Sequence, residues 1–199
     1  MKLSSQPRVA RGLVVVTGTP GTGKTTISKK LAKEIQADYL SLNRFVISKK
    51  LQAGFDRGRQ TGIVDLRRTR VHLRRLLTER AGSTIVDTHI ADAVPREMTM
   101  KVIVLRCRPE VLEARLRKKG WREGKIRENV LAEIIDSCYT IAVHYYGARK
   151  VNQLDTSRGG VRKCVGLITR ILRGLSTGNI RIDWIGTLEQ EHRFDRFER

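Results

Sequence analysis

Cysteines are few, acidic residues are scarce and long apolar runs are missing, and each shortage narrows what this chain can be. The three cysteines, Cys107, Cys138 and Cys164, are scattered with no C-x-x-C pair. That spacing argues against a disulfide framework or a cysteine metal site and leaves buried thiols. No apolar stretch approaches the roughly 20 residues of a membrane span, so no membrane partner is expected. The opening segment MKLSSQPRVARG has no uninterrupted apolar core of the kind that marks a secretory signal. An intracellular, cytoplasmic protein is therefore expected, or a nuclear one if the source is eukaryotic. Internal repeats and low-complexity tracts are also missing.

The shortage of acid has the largest consequence. Forty Lys and Arg face twenty Asp and Glu, a formal net charge of +20. Residues 176–199 hold four basic and five acidic residues, so the excess lies wholly in the body. It peaks in RGRQTGIVDLRRTRVHLRR (57–75) and in RLRKKGWREGKIR (115–127). Thermophilic ion-pair networks use both signs. An imbalance of two to one instead favours a polyanionic partner, and RNA is the expected one.

What is present is an alternation of strand-like and helix-like stretches along 199 residues, enough for one α/β core. GLVVVT (12–17) reads as a buried strand and leads into a helix from about residue 23 to 34, with Ile27, Leu31 and Ile35 at helical spacing. YLSL (39–42) precedes a helix-like RFVISKKLQ, and residues 53–62 read as a mobile loop rich in Gly, Arg and Gln. A helix over 65–79 shows Leu66, Thr69, Leu73, Leu76 and Leu77 on one face. STIVDTH (83–89) and KVIVLRC (101–107) are further strands, each with helix-like sequence after it, and Pro109 suits a helix's first turn. One long helix is expected from about 126 to 149, along the stripe Ile126, Val130, Ile134, Cys138, Ile141 and Tyr145. VNQLDT is the last strand and 159–173 the last body helix. Such βα alternation means a parallel sheet between two helical layers. After Gly174 a mixed-charge extension, 175–199, stands outside the pattern.

The chemistry begins at GTPGTGKT, Gly18 to Thr25, which fits G-x-x-x-x-G-K-[ST] with a strand before it and a helix after it. Phosphate oxygens need several converging backbone N–H donors, and only residues without bulky side chains let the main chain curl that tightly. Gly21 and Gly23 are expected at the curl. The helix that follows points its positive end at the same phosphates. Lys24 would reach the β- and γ-phosphates, Thr25 would ligate Mg²⁺, and Thr26 is placed for an α-phosphate. The loop therefore predicts a nucleoside triphosphate with Mg²⁺. Asp87, closing STIVD, is the acidic residue expected to hold Mg²⁺ through water. His89, two residues on, is a candidate to orient water or act as a base, or an ordinary hydrogen-bonding histidine. The basic segment RLRKKGWREGKIREN reads as a flap closing over phosphates, with Gly120 and Gly124 as hinges.

On TGTPGTGKTT (17–26), VDTH (86–89), LRCRPEVLEARLRKKGWREGKIREN (105–129) and AEI (132–134), the sequence resembles the atypical adenylate kinases of archaea and eukaryotes that assist small ribosomal subunit assembly, the CINAP type. The match runs from about Leu13 to Leu172. The resemblance implies a three-layer P-loop NTPase fold of the adenylate kinase kind in residues 1–174, with a monophosphate arm at about 41–64 and a short lid at about 118–128. It implies phosphoryl transfer from ATP to AMP giving two ADP, together with ATP hydrolysis. It also implies a small-subunit platform ribosomal protein as partner and a role in late rRNA maturation. Gly21, Gly23, Lys24, Thr25 and Thr26 match its phosphate cradle, and Asp87 and His89 its altered Walker B pair. Arg115 matches the arginine lying against adenine, and Lys119 stands where relatives carry a lid arginine, which keeps charge but loses the bidentate fork. Relatives place an arginine on the arm's first helix where this chain has Ile47, which cannot clamp an AMP phosphate; Arg44 and Lys50, one turn to either side, are the candidates to substitute. Two alternatives stay open. One is an ATP-gated RNA- or ribosome-binding module with little kinase activity; the other is a small-metabolite kinase.

Overall fold

A computed structural model describes residues 12–58, 61–176 and 181–197. The segment carrying the signal-peptide reading lies almost wholly outside them, as do Arg59 and Gln60 of the basic stretch and residues 177–180 and 198–199 of the extension.

Five strands form one parallel sheet. They are β1 (Leu13–Thr17), β2 (Asp38–Ser41), β5 (Thr84–Asp87), β6 (Thr99–Arg106) and β7 (Val151–Asp155), in the order β2-β5-β1-β6-β7. Successive side chains on a strand point to opposite faces, so each central strand feeds two cores. Val14 and Val16 of β1, with Ile103 and Leu105 of β6, enter one core, under helices α1 (Lys24–Glu34) and α7 (Gly160–Leu172). Leu13 and Val15, with Val102 and Val104, enter the other. That second core lies under α2 (Leu42–Ser48), α3 (Leu66–Thr78) and α6 (Ser137–Tyr146). These strands are buried on both faces, which is why they read as unbroken apolar runs. A third cluster joins α4 (Pro109–Lys118) and α5 (Glu123–Ile134) to α8 (Trp184–Gln190) through Leu112, Leu116, Ile126, Val130 and Leu188.

Four sequence expectations need correction. The stretch read as a loop is mostly an antiparallel hairpin, β3 (Gln52–Asp56) with β4 (Thr61–Val64). Its backbone ladder forms although almost nothing in it is buried, so no apolar periodicity announces it. The helix-like RFVISKKLQ ends early, because α2 stops at Ser48 and Gln52 already belongs to β3. The single long helix is two, broken where Asp136 adopts φ +58°. There the Asp136 carboxylate pairs with the buried Arg106, and the two helices serve different cores. The stripe fails with the break: Ile141 is exposed, while Ala142 and Tyr146 turn inward. Finally, β5 is followed by one short 3₁₀ turn, Ala91–Ala93, and no full helix. The Tyr146 hydroxyl seals that turn between the carbonyl oxygens of Ala91 and Val94, at 2.6 and 2.9 Å.

The C-terminal ends of β1, β5, β6 and β7 share one edge of the sheet. Neighbours β5 and β6 leave β1 on opposite sides, so β1 opens at a topological switch point, where α/β sheets form their ligand crevice. No helix among the described residues is long and apolar enough to cross a membrane.

Candidate functional site

The chain leaves β1 through residues 18–23 and re-enters regular structure at Lys24. Gly21 and Gly23 both carry the positive φ expected of them, +97° and +98°. Gly18, not singled out from the sequence, is equally constrained: at φ +138° a Cβ would lie 2.3 Å from the Leu105 carbonyl oxygen. The loop is thus pressed against the end of β6 as well as curled. Lys24 Nζ donates to the carbonyls of Gly18 at 2.7 Å and Thr19 at 3.1 Å, tying the start of the loop to its end. Burial pulls the Lys24 ammonium below its ordinary range, and the charges of Asp87 and Glu133 partly offset this.

The Thr25 hydroxyl donates to Asp87 Oδ2 at 2.7 Å, so the first turn of α1 and the tip of β5 meet as the sequence anticipates. Tyr39, on β2, donates to the same oxygen at 3.0 Å. Desolvation and the Asp87 charge raise the pKa of this phenol, which keeps it a donor. No motif marks Tyr39; only the β2–β5 pairing, which sets Leu40 against Val86 and Ser41 against Asp87, brings it there. Arg44 lies beside the Tyr39 hydroxyl, close to the centre. Lys50 is an exposed residue beyond the end of α2, at φ +53°. Ile47, which displaces the expected arm arginine, is 56 % exposed.

Solvent reaches His89, yet desolvation by the surrounding protein and then the positive charge of Lys24 hold its pKa below the ordinary 6.5. The imidazole is therefore neutral at pH 7 and able to accept a proton. It lines a small cavity of about 60 Å³ shared with Asn43, Gln52 and Thr88, between the arm and β5.

A larger cavity of about 510 Å³ runs from Gly21, Gly23 and Thr26 past Arg115 and Lys119 to Val161 and Cys164. Arg115 is fixed in its wall, donating to the Thr156 carbonyl at 2.7 Å and to Cys107 Sγ at 3.3 Å. Burial pushes that thiol up to about 11, so it stays protonated. Thr156 joins the two sides of this wall: its hydroxyl lies 2.9 Å from the carbonyl oxygens of both Thr22 and Arg106. Sequence reading misses Thr156, which follows the last strand without a motif of its own.

A third opening, about 800 Å³, separates the hairpin (Gly58, Thr61) from the elbow between α4 and α5 (Trp121, Arg122, Lys125). The expected flap is that elbow. Gly120 turns it at φ +72°, but Gly124 lies inside α5 and is no hinge.

Among the described residues no cluster of three or more His, Cys, Asp or Glu side chains could hold a metal. The Thr25 hydroxyl and Asp87 carboxylate nevertheless form a pair of hard oxygen donors beside the phosphate loop. That donor set fits a magnesium ion whose remaining ligands come from substrate phosphates and water.

Similarities to known proteins fit this geometry. A family profile described as "AAA domain" matches residues 14–136. A protein named "Putative adenylate kinase" from Saccharolobus solfataricus is 37% identical over 173 residues, 87% of either chain. Its namesake from Methanothermobacter thermautotrophicus is 35% identical over 162 residues, 81% of this chain and 90% of that one. Another, from Methanocaldococcus jannaschii, is 29% identical over 171 residues, 86% and 92%. Among solved structures, shikimate kinase from Acinetobacter baumannii in complex with shikimate superposes with a TM-score of 0.57 at 18% identity, covering 83% of this chain and 95% of that one. Deoxyadenosine kinase from M. mycoides with bound dATP gives 0.51 at 16% identity, covering 81% and 98%. These likenesses show a three-layer α/β P-loop NTPase fold.

Proposed function

This chain belongs to the archaeal adenylate-kinase-like P-loop family, and from that premise we propose that it is a nucleoside monophosphate kinase, transferring the terminal phosphoryl group of ATP to AMP. The observation that carries the reading is the Thr25–Asp87 contact beside Lys24, next to a cavity of about 510 Å³ that Thr26 and Arg115 line. Residues 1–174 form the kinase body in this reading, with 175–199 appended.

ATP would lie with its base between Arg115 and Val161, its α-phosphate near Thr26 and its outer phosphates in the amides of Gly21 to Thr25. Thr25 and Asp87 would hold a magnesium ion, which would supply neutralisation of phosphate charge. Lys24 meets the charge that develops on the transferred group, and Lys119 closes from the elbow. An acceptor oxygen forms a bond to the γ-phosphorus as the bond to the bridging oxygen of ADP breaks. An AMP phosphate oxygen attacks as the anion and needs no base; where water is the acceptor, His89 would take its proton. With water as acceptor the same arrangement hydrolyses ATP. Positioning and charge neutralisation, rather than covalent chemistry, supply the acceleration.

Arg44, beside Tyr39, is the cation that would receive the AMP phosphate, with Lys50 as the second candidate. The exposed Ile47 favours a second reading, a small-metabolite kinase whose acceptor needs no clamp there. The excess positive charge supports a contact with rRNA, and the likeness in GW-x-E-x-KI-x-EN supports a role in small-subunit maturation beside a platform ribosomal protein. An ATP-gated RNA- or ribosome-binding module with little kinase activity is the competing account of that charge.

Nucleotide analysis of the purified chain with Mg·ATP, with and without AMP, tests the proposal. ADP formed at the expense of AMP is the expected result. Hydrolysis indifferent to AMP removes the kinase and leaves the ATPase. Lys24→Ala should abolish both activities, and turnover surviving in that variant removes the loop from the chemistry.

A further inference from the structure

The Glu133 side chain, on α5, is 1% exposed and accepts four hydrogen bonds. Its Oε1 receives Arg106 Nε at 2.7 Å, the Cys107 amide at 3.0 Å and Trp184 Nε1 at 3.1 Å. Its Oε2 receives the Thr19 hydroxyl at 2.6 Å. A buried carboxylate is costly unless its lone pairs are all met, and bonds to an ionised acceptor are stronger and more directional than neutral ones. So this side chain fixes whatever it holds. Thr19 belongs to the phosphate loop, and its carbonyl accepts Lys24 Nζ at 3.1 Å, the Thr22 amide at 3.2 Å and the Thr22 hydroxyl at 2.9 Å. Trp184 opens α8 in the C-terminal extension. A continuous chain of bonds therefore runs from the extension through Glu133 and Thr19 to Lys24.

Other contacts hold the near end of that chain in place. Trp184 and Leu188 are buried, and Arg108 pairs with Glu191. Arg193 reaches Glu110 at 3.1 Å and Arg196 reaches Glu113 at 2.7 Å. The last two pairs, like the first, bind the extension to the N-terminal half of α4, away from the elbow. Nothing in the phosphate-transfer chemistry needs these contacts, yet they bring an indole N–H to the carboxylate that holds Thr19 of the loop.

We propose that Trp184 and Glu133 are positioning residues for the triphosphate, and that the C-terminal extension sets the posture of the phosphate loop from behind. This rests on reading the loop as the ATP site. Without the indole donor, Oε1 of Glu133 keeps only Arg106 Nε and the Cys107 amide, and the negative charge of the buried carboxylate is met by one donor fewer. The carboxylate then shifts, and Thr19 and its carbonyl shift with it. The ammonium of Lys24 loses one of its two protein acceptors.

The test uses the full chain. Trp184→Phe keeps an aromatic ring in the pocket and removes the N–H together with the rest of the five-membered ring, so its melting temperature is measured beside its affinity. Calorimetric titration with Mg·ATP and steady-state kinetics should show affinity weakened about fivefold, as befits loss of one bond to a charged group felt at one remove. The loss should fall on KM more than on kcat. Thr19→Val cuts the chain at its far end, so Trp184→Phe added to Thr19→Val should cost little more than Thr19→Val alone. Independent, multiplying effects, or a Trp184→Phe variant with lowered melting temperature and unchanged Mg·ATP affinity, would make the extension a structural brace only and overturn the proposal. A second readout avoids altering Trp184. In a Trp121→Phe chain, Trp184 is the only indole, and its emission should shift on saturation with a non-hydrolysable ATP analogue. Thr19→Val should remove the shift, and an emission indifferent to nucleotide in a chain that binds it counts against the coupling. A wild-type chain that takes up no Mg·ATP would instead overturn the reading of the loop itself.

Discussion

At the scale of single residues the site is a set of polar groups brought to one sheet edge, and their protonation decides what each can do. His89 has the clearest pH consequence. Its folded pKa lies below the ordinary 6.5, so above that value the ring is neutral both before and after folding and no stability depends on it. As pH falls, the unfolded chain takes up the proton first, so stability drops through the window below 6.5. Activity should follow the same direction: the rate stays level from neutral pH down past 6.5 and declines only at more acid values. His89→Gly should lower the rate of ATP hydrolysis about a hundredfold, the range of general-base catalysis, while Mg·ATP affinity holds. A kinetic pKa at or above 6.5 in the pH–rate profile, or an unchanged rate in the variant, would return His89 to an ordinary hydrogen-bonding role. Lys24, Thr25 and Asp87 are legible in the sequence because the phosphate-binding loop has a fixed spacing and the acidic residue closes an apolar run. Tyr39, Thr156 and Glu133 are not, because each reaches the site through strand pairing or a contact across many residues. Their partners are Asp87, Thr22 and Thr19, and no local pattern links those pairs.

At the scale of elements, periodicity reveals the strands that are buried on both faces and the helices with one apolar stripe. It does not reveal those that depend on backbone pairing or on a distant charge. The β3–β4 hairpin is held by its ladder over an exposed surface, with Phe55 and Ile63 both open to solvent, so its composition reads as loop. The break between α5 and α6 answers to Arg106, 30 residues before Asp136, and periodicity on either side runs straight through it. Helix α3 shows the opposite case, in which a local signal is sufficient. Asp65 caps it, accepting the Arg68 amide at 2.9 Å, and Leu73 and Leu77 are driven into the core. Asp65→Ala should therefore cost about 1 kcal/mol in a denaturant titration, the usual worth of an N-cap. Asn should recover most of it, since its oxygen can accept the same bond. A loss well beyond about 2 kcal/mol, the upper end for a cap, or no recovery with Asn, would mean that Asp65 holds something besides the helix end.

For the whole molecule the question is where a net charge of +20 acts. Part of it is engaged internally: Arg106 is buried against Glu133 and Asp136, and Arg108, Arg193 and Arg196 fasten the extension to α4. On α3 the balance differs. Arg74 and Arg75 have Glu97 and Glu79 beside them, whereas Arg67 and Arg68 are exposed and pair with no acidic group among the described residues. An unneutralised pair on the outer face of a rigid helix is suited to phosphates spaced along a strand, and binding there releases the counterions condensed on the nucleic acid. Single-stranded RNA should therefore bind with an affinity that falls linearly in log–log against salt. Replacing Arg67 and Arg68 together by Ala should flatten that slope by about 1.4, at roughly 0.7 for each phosphate no longer neutralised. Lys24→Ala should leave the slope unchanged, because the loop would hold the triphosphate and not the strand. If the Arg67/Arg68 double variant keeps the wild-type slope, the polyanion lies on another face. If Lys24→Ala changes it as much, RNA and nucleotide compete for one site, and the protein would be a nucleotide-gated binder whose two polyanions exclude each other.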